Sequence, residues 1–176
     1  MSFYSKMAKV GTKFVPKHKL FKYGFNWSPM YKRSTAKIVA IEPDLSYIKI
    51  KLPISYKNRN YANSIFGGSM FAAVDPIPMV QLINILGDNY VVWDKAAQIR
   101  FKRPAKQHLY ADFRVNKAEI QQIQTDVAAN NEIEISKTTY LTNEDGTTIF
   151  CEVDKTIYIA KKSFYKEKLA RRKQQK

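Results

Sequence analysis

The chain has 176 residues, of which 45% are hydrophobic and 26% charged, so it is long enough for one domain with a full core and short for two. Its single cysteine, Cys151, excludes an intrachain disulfide and favours a reducing, cytoplasmic setting. We expect no apolar run of roughly 18 residues, the length that spans a membrane, and no secretory signal.

The net charge of +15 is concentrated at the two ends of the chain. Residues 1–37 hold nine Lys or Arg and no acid, and residues 161–176 hold eight against one acid. The middle holds 13 basic and 14 acidic residues and is nearly neutral. Solvated ends and attraction to anionic lipid or another polyanion are both open interpretations. Because nucleic-acid binding would rest on these ends alone, we do not expect it.

The N-terminal segment, residues 1–34, mixes lysines with aromatic residues. It predicts one or two amphipathic helical pieces with breaks near Gly11 and Pro16. We expect Phe21, Phe25 and Trp27 to be buried against the main body, because so many aromatic side chains are costly to leave in water.

Two strands and a long helix follow. Residues 35–42 and 46–52 alternate like strands around a Pro43-Asp44 turn. Residues 66–86 form the one long apolar segment, which predicts a helix capped at Gly87. Pro76 and Pro78 lie inside it and should make it irregular, since each removes a backbone donor.

The rest of the chain is mostly strand. We predict strands over 89–101, 109–115, 132–141 and 148–159, with a short helix over 117–126. Asp145-Gly146 is typical of a hairpin turn, and the basic tail, residues 161–176, is predicted to be helical. A helix that is apolar on most sides must be enclosed. An antiparallel sheet over residues 35–160 wrapped around it gives an α+β domain.

The most informative motif is the glycine pair Gly67-Gly68 with Asp75 two helical turns later. Glycines let a substrate approach the backbone N–H groups at a helix start. A carboxylate in apolar surroundings is a candidate reactive group. This combination points to acyl transfer or hydrolysis at a helix N-terminus. The alternative for Asp75 is a helix cap, because Asp before Pro is also a helix-start signal.

These elements and motifs resemble the hotdog fold. Phe66-Gly67-Gly68 with Asp75 resembles the His-Gly-Gly…Asp signature of phenylacetate-degradation-type acyl-CoA thioesterases. A closer resemblance is to a hotdog family known as a domain of unknown function and grouped with thioesterases. It extends over residues 19–161 and is carried by residues 25–29, Asn60, residues 66–68, Asp75-Pro76, residues 90–97 and residues 100–104.

The resemblance implies roles for three of these residues. Asp75 would be the general base or the nucleophile, and Gly67 or Gly68 would donate an N–H to the thioester oxygen. In the resembled enzymes these groups face each other across a dimer interface, so a homodimer or a dimer of dimers is implied. Phe66 stands where the better-known thioesterases have His, and no role of that His transfers.

Other polar residues are candidates for substrate contacts. Asn60 would bind substrate or water, or would shape a turn. Lys102, Arg103 and Lys106 would bind the phosphates of coenzyme A, or would form a solvated loop. Asp94-Lys95, inside an apolar strand, predicts a salt bridge at a subunit interface.

The sequence therefore predicts hydrolysis of an acyl-CoA or related thioester. Coenzyme A enters as part of the substrate, and we expect no separate cofactor and no metal. The alternative is a non-catalytic acyl-CoA or fatty-acyl binding protein. Hydration or dehydration of an acyl thioester is a weaker rival, because that chemistry usually pairs Asp with a nearby His.

Overall fold

The computed structural model describes residues 15–174, so the prediction of a break at Gly11 lies outside the described residues. The helices are α1 Lys17–Trp27, α2 Pro29–Ser34, α3 Gly67–Val74, α4 Pro76–Leu86, α5 Lys117–Asn130 and α6 Lys162–Gln174. The strands are β1 Lys37–Ile41, β2 Tyr47–Leu52, β3 Tyr90–Phe101, β4 Leu109–Arg114, β5 Glu132–Thr142 and β6 Ile149–Lys161. Within residues 15–174 the predicted elements are found, although α5 runs four residues beyond its predicted end.

The six strands form one antiparallel sheet in the order β1-β2-β4-β5-β6-β3. The Asp145-Gly146 turn joins β5 to β6, and Gly146 has the positive φ of 78° that such turns require. The sheet encloses the central α3–α4 segment. This is the α+β hotdog fold that the sequence predicts.

The central segment is two helices that meet at Asp75, as the two prolines lead one to expect. Asp75 has helical φ and ψ of −45° and −53°, and Pro76 begins α4. Met70, Val74, Ile77 and Leu82 are at most 3% exposed and form much of the core. Burial of these side chains against the sheet is the main stabilising contribution of this segment.

The expectation that no apolar run reaches membrane-spanning length is wrong for the central segment. Gly67–Leu86 has 20 residues and a mean hydropathy of 1.4, enough to cross a membrane by length and composition alone. However, 56% of its 18-residue apolar window is buried inside the protein. Its apolarity therefore matches its place in the core of the domain.

The α1 and α2 helices pack on this core through three aromatic rings. Phe21 is 8% exposed and stacks on Phe25 at 4.7 Å between centroids. Phe25 meets the edge of the Tyr31 ring at 5.2 Å, and the Tyr31 hydroxyl donates to Ala73 O at 3.0 Å. The prediction that Trp27 is buried as well is wrong, because its side chain is 72% exposed.

Candidate active site

A lysine lies on the inward face of the last strand. Alternate residues of β6 point into the core, and Lys155 occupies that register between Val153 and Ile157. All three residues are at most 1% exposed. Removing an ammonium group from water costs several kcal/mol, roughly the desolvation penalty of any buried ion. A buried lysine therefore needs hydrogen-bond acceptors for its three N–H hydrogens.

Two aspartates and one carbonyl provide these acceptors. Lys155 Nζ donates to Asp75 Oδ1 at 2.8 Å and to the Asp75 carbonyl oxygen at 2.5 Å. It lies 2.6 Å from Asp94 Oδ2 on β3. We call Asp75, Lys155 and Asp94 the aspartate–lysine cluster. It ties the junction of α3 and α4 to two strands of the sheet.

The two carboxylates of the cluster lie in different surroundings. The side chain of Asp75 is 42% exposed and that of Asp94 is 23% exposed. Burial raises the pKa of the Asp94 carboxyl; Lys155 opposes this shift, and the Asp75 charge adds to it. Asp94 Oδ1 is buried without a hydrogen-bond partner in the described part of the chain. Asp75 is thus the carboxylate that solvent or substrate can reach.

The contacts of the Asp75 side chain do not match the helix-cap alternative. Asp75 occupies the N-cap position of α4, but its side chain makes no capping hydrogen bond. Its carboxylate is bonded to Lys155 instead. The Asp75 side chain therefore does not cap α4, and it ties the junction of α3 and α4 to β6.

The predicted salt bridges of Asp94 and Lys95 exist, but their partners are in the same chain. Asp94 pairs with Lys155, and Lys95 pairs with Glu134 of β5. The salt bridges themselves are thus present, and their location at a subunit interface stays a prediction. A β-bulge between Asp94 and Ala96 places Asp94 opposite Ile157 and Ala97 opposite Lys155, so that both lie on the same face of the sheet as Lys155.

The glycine pair begins α3, as predicted. Gly67 and Gly68 are the first two helical residues, so their N–H groups have no partner within the helix. A Cβ on Gly67 would lie 2.6 Å from Cζ of Phe101, and one on Gly68 would collide with the ring of Phe66. The two rings are each 57% exposed and cover the glycines from outside. A side chain at either position would therefore require one of these exposed rings to move.

A cavity of about 410 Å³ opens beside Gly67. It brings together several residues that the sequence singled out, and Met70 and Phe101 supply apolar walls. The lining residues include Asn60, Gly67, Lys102 and Arg103. Lys106 is exposed but does not line this cavity.

Asp75 does not line the cavity either. Eight residues separate it from Gly67 along a helical path, which corresponds to about 12 Å at 1.5 Å per residue. Reacting groups must approach within about 3 to 3.5 Å of each other. The carbonyl group of one bound ligand therefore cannot contact Asp75 and Gly67 of the same chain at once.

The two cations of the cavity differ in their partners. Lys102 Nζ lies 3.1 Å from Glu152 Oε2, so its charge is already paired. Arg103 is exposed, and no ion pair with it occurs within residues 15–174. Arg103 is therefore the cation best placed to meet an anionic ligand.

Asn60 shapes the loop that forms one side of the cavity. Its Oδ1 accepts from the Ser64 backbone N–H and from the Ser64 hydroxyl, both at 3.1 Å. Asn63 in the same turn has a positive φ of 60°. The turn-forming interpretation of Asn60 is thus supported by these bonds, and the residue also lines the cavity.

Lys155 is the residue that the sequence reasoning missed. The sequence does contain a sign of its burial. Lys155 falls in the alternating apolar positions of the strand, which are Cys151, Val153, Ile157 and Ile159. Cys151 itself is fully buried, and burial raises the pKa of its thiol to about 11, as a structural cysteine requires. No group of three or more His, Cys, Asp or Glu able to hold a metal occurs in the described ranges.

A family described as a domain of unknown function, DUF4442, matches residues 17–159. The chain therefore belongs to the DUF4442 family. No curated protein matches the sequence of this DUF4442 protein significantly.

Solved structures share the fold of this DUF4442 protein at low sequence identity. A Pseudomonas aeruginosa protein of unknown function, described as a probable thioesterase, is 23% identical with a TM-score of 0.71, covering 81% of this chain and 95% of that one. A Haemophilus influenzae thioesterase is 12% identical with a TM-score of 0.59, covering 84% and 92%. A mutant Staphylococcus aureus thioesterase is 13% identical with a TM-score of 0.54, covering 76% and 99%.

Proposed function

We propose that the protein hydrolyses an acyl-CoA or a related acyl thioester. The observation that carries the proposal is the cavity beside Gly67, which combines free helix N-terminal N–H groups, apolar walls and the unpaired Arg103. These are the groups needed to polarise a carbonyl, hold an acyl chain and attract a phosphate. The thioesterase names of similar structures support the same reaction class.

We further propose that two copies of the chain complete each site. Asp75 lies about 12 Å from Gly67 along its own chain, so the carboxylate that meets Gly67 must come from a second copy. β3 is an edge strand of 12 residues whose outer side has no strand partner in the described sheet. Antiparallel pairing of two β3 strands would cover this edge, which isolated proteins rarely leave open.

The chemistry follows from these positions. Asp75 removes a proton from water, and the oxygen attacks the thioester carbonyl carbon. The N–H of Gly67 or Gly68 stabilises the resulting oxyanion, aided by the positive end of the α3 dipole. The C–S bond then breaks, and the proton held by Asp75 passes to the leaving thiolate. If Asp75 attacks directly, a mixed anhydride forms with loss of the thiolate, and water then hydrolyses it.

One observation favours the second candidate, a non-catalytic acyl-CoA binding protein. The rings of Phe66 and Phe101 lie over the two glycines, where a carbonyl would have to approach. A protein that keeps the groove but shields the amides would bind its ligand without turnover. Both rings are 57% exposed and rotate at little cost, so hydrolysis remains the primary proposal.

The test is a panel of acyl-CoA esters with detection of the released thiol, in the wild type and in Asp75→Asn. The buried Cys151 thiol does not contribute to the signal while the protein is folded. We expect turnover of at least one ester and a loss of at least about a hundredfold in Asp75→Asn, as for a positioned acid–base group. Tight binding of an acyl-CoA without turnover would establish the second candidate instead.

A further inference from the structure

The outer side of α1 and α2 carries exposed aromatic and cationic side chains that the proposed active site does not use. Tyr23, Trp27 and Met30 are 51%, 72% and 55% exposed. Tyr23 and Trp27 are four residues apart on α1, and their rings lie 6.1 Å apart. We call the following set the aromatic-basic face: Lys19, Tyr23, Trp27, Met30, Lys32 and Arg33.

The aromatic-basic face cannot turn inward, because the opposite side of α1 is fixed. Phe21 and Phe25 occupy that side, where Phe21 stacks on Phe25 and Phe25 packs against Tyr31. Asn26 also ties α1 to β1, accepting from Ile38 N at 2.8 Å and donating to Ile38 O at 3.0 Å. Trp27 is therefore held in solvent by the fold.

The charge around these side chains has one sign. No Asp or Glu occurs before Glu42. Lys19, Lys32 and Arg33 are exposed and form no ion pair within the described residues. The charged side chains that this part of the sequence supplies are therefore all cationic, and they attract anions.

We propose that the aromatic-basic face docks the protein on an anionic lipid surface. Trp and Tyr prefer the level of the lipid headgroups, where the ring is in an apolar layer and its polar atom meets water. Lys and Arg beside them meet the lipid phosphates and anionic headgroups. This proposal is independent of thioester hydrolysis, since it uses no residue of the cavity or of the aspartate–lysine cluster.

The test is sedimentation of the full chain with phosphatidylcholine vesicles, with and without about 30% phosphatidylserine. We expect binding only to the anionic vesicles, weakened by salt because screening shortens the reach of the charges. Trp27→Ala should lower the partition coefficient by at least about tenfold. The matched control is Tyr56→Ala, which removes a ring that is 86% exposed outside this face and should change it less than about twofold.

A second pair of variants distinguishes binding through the aromatic-basic face from general attraction by the net positive charge of the protein. Replacing Lys19, Lys32 and Arg33 with Gln should abolish binding, whereas the same change at Arg171, Arg172 and Lys173 of α6 should leave most of it. Equal losses in both triple variants would overturn the proposal in favour of general charge attraction. No binding by the wild type would also overturn it. So would a change of native mass in Trp27→Ala, since a second copy would then occupy the face.

Discussion

The ammonium of Lys155 donates a hydrogen bond to the carboxylate of Asp75 across 2.8 Å, although Lys155 is only 1% exposed. This bond makes Lys155→Met a strong test of the aspartate–lysine cluster. The variant leaves two neighbouring carboxylates without their cation. We expect a loss of about 2 kcal/mol in the free energy of unfolding, below the roughly 3–5 kcal/mol of fully buried pairs because water reaches Asp75.

The matched control for Lys155→Met is Lys168→Met. Lys168 is 30% exposed and pairs with Glu132 on the surface, so urea unfolding should show a change of less than about 1 kcal/mol. Adding Asp75→Asn and Asp94→Asn to Lys155→Met should recover part of the lost stability. Equal stability of Lys155→Met and the wild type would show that the cluster is not held as described.

Asp94→Asn tests the pKa shift in the cluster. The folded pKa of Asp94 is raised, so the folded state binds its proton more tightly than the unfolded state. Ionisation of Asp94 therefore destabilises the folded state. This loss of stability develops as pH rises from the pKa of Asp94 in the unfolded chain, near 3.8, through its higher pKa in the folded protein. Relative to the wild type, Asp94→Asn should gain stability between pH 4 and pH 7. A difference in unfolding free energy that is independent of pH would contradict the shift.

Gly67→Ala tests whether the glycine is needed for approach to the helix end. The new methyl group would displace the Phe101 ring, but alanine favours the helix by about 1 kcal/mol over glycine. We therefore expect little change in melting temperature and a fall in kcat/KM of at least about tenfold. Gly24→Ala is the control, because nothing lies within 4 Å of its added Cβ. If Gly67→Ala is as active as Gly24→Ala, the N–H groups of the pair are not used.

Arg103→Gln tests the proposed phosphate contact. Because Arg103 lines the cavity and is unpaired there, its loss should raise KM for an acyl-CoA several-fold while kcat changes little. An acyl-N-acetylcysteamine thioester, which lacks phosphates, should show no such rise. Lys106→Gln removes an exposed charge outside the cavity and should leave both KM values unchanged. A similar rise for both substrates would exclude phosphate recognition by Arg103.

The fold was predictable because its signals are local and consistent. The apolar residues 66–86, the prolines within them and the alternating strands each predict the element that forms there. The burial of Trp27 was predicted wrongly because the number of aromatic residues does not show which face of the α1 helix is directed at the core. Phe21 and Phe25 already fill the inward face of α1, which leaves Trp27 outside.

The candidate site was predictable only in part. Gly67, Asn60, Lys102 and Arg103 come together because one loop and two element ends meet there. The link between Asp75 and Lys155 spans 80 positions in sequence. This contact depends on the strand order of the sheet, so the local sequence around either residue does not predict it.

Subunit complementation tests the central claim most directly. Asp75→Asn and Gly67→Val should each be inactive, since each damages both sites of a homodimer. When the two variants are unfolded together and refolded, about half of the dimers are mixed, and each mixed dimer has one intact site. We expect about a quarter of the wild-type thioesterase activity to return. A mixture that stays inactive, with mixed dimers present and the wild type active, would contradict a site shared between Asp75 of one copy and Gly67 of the other.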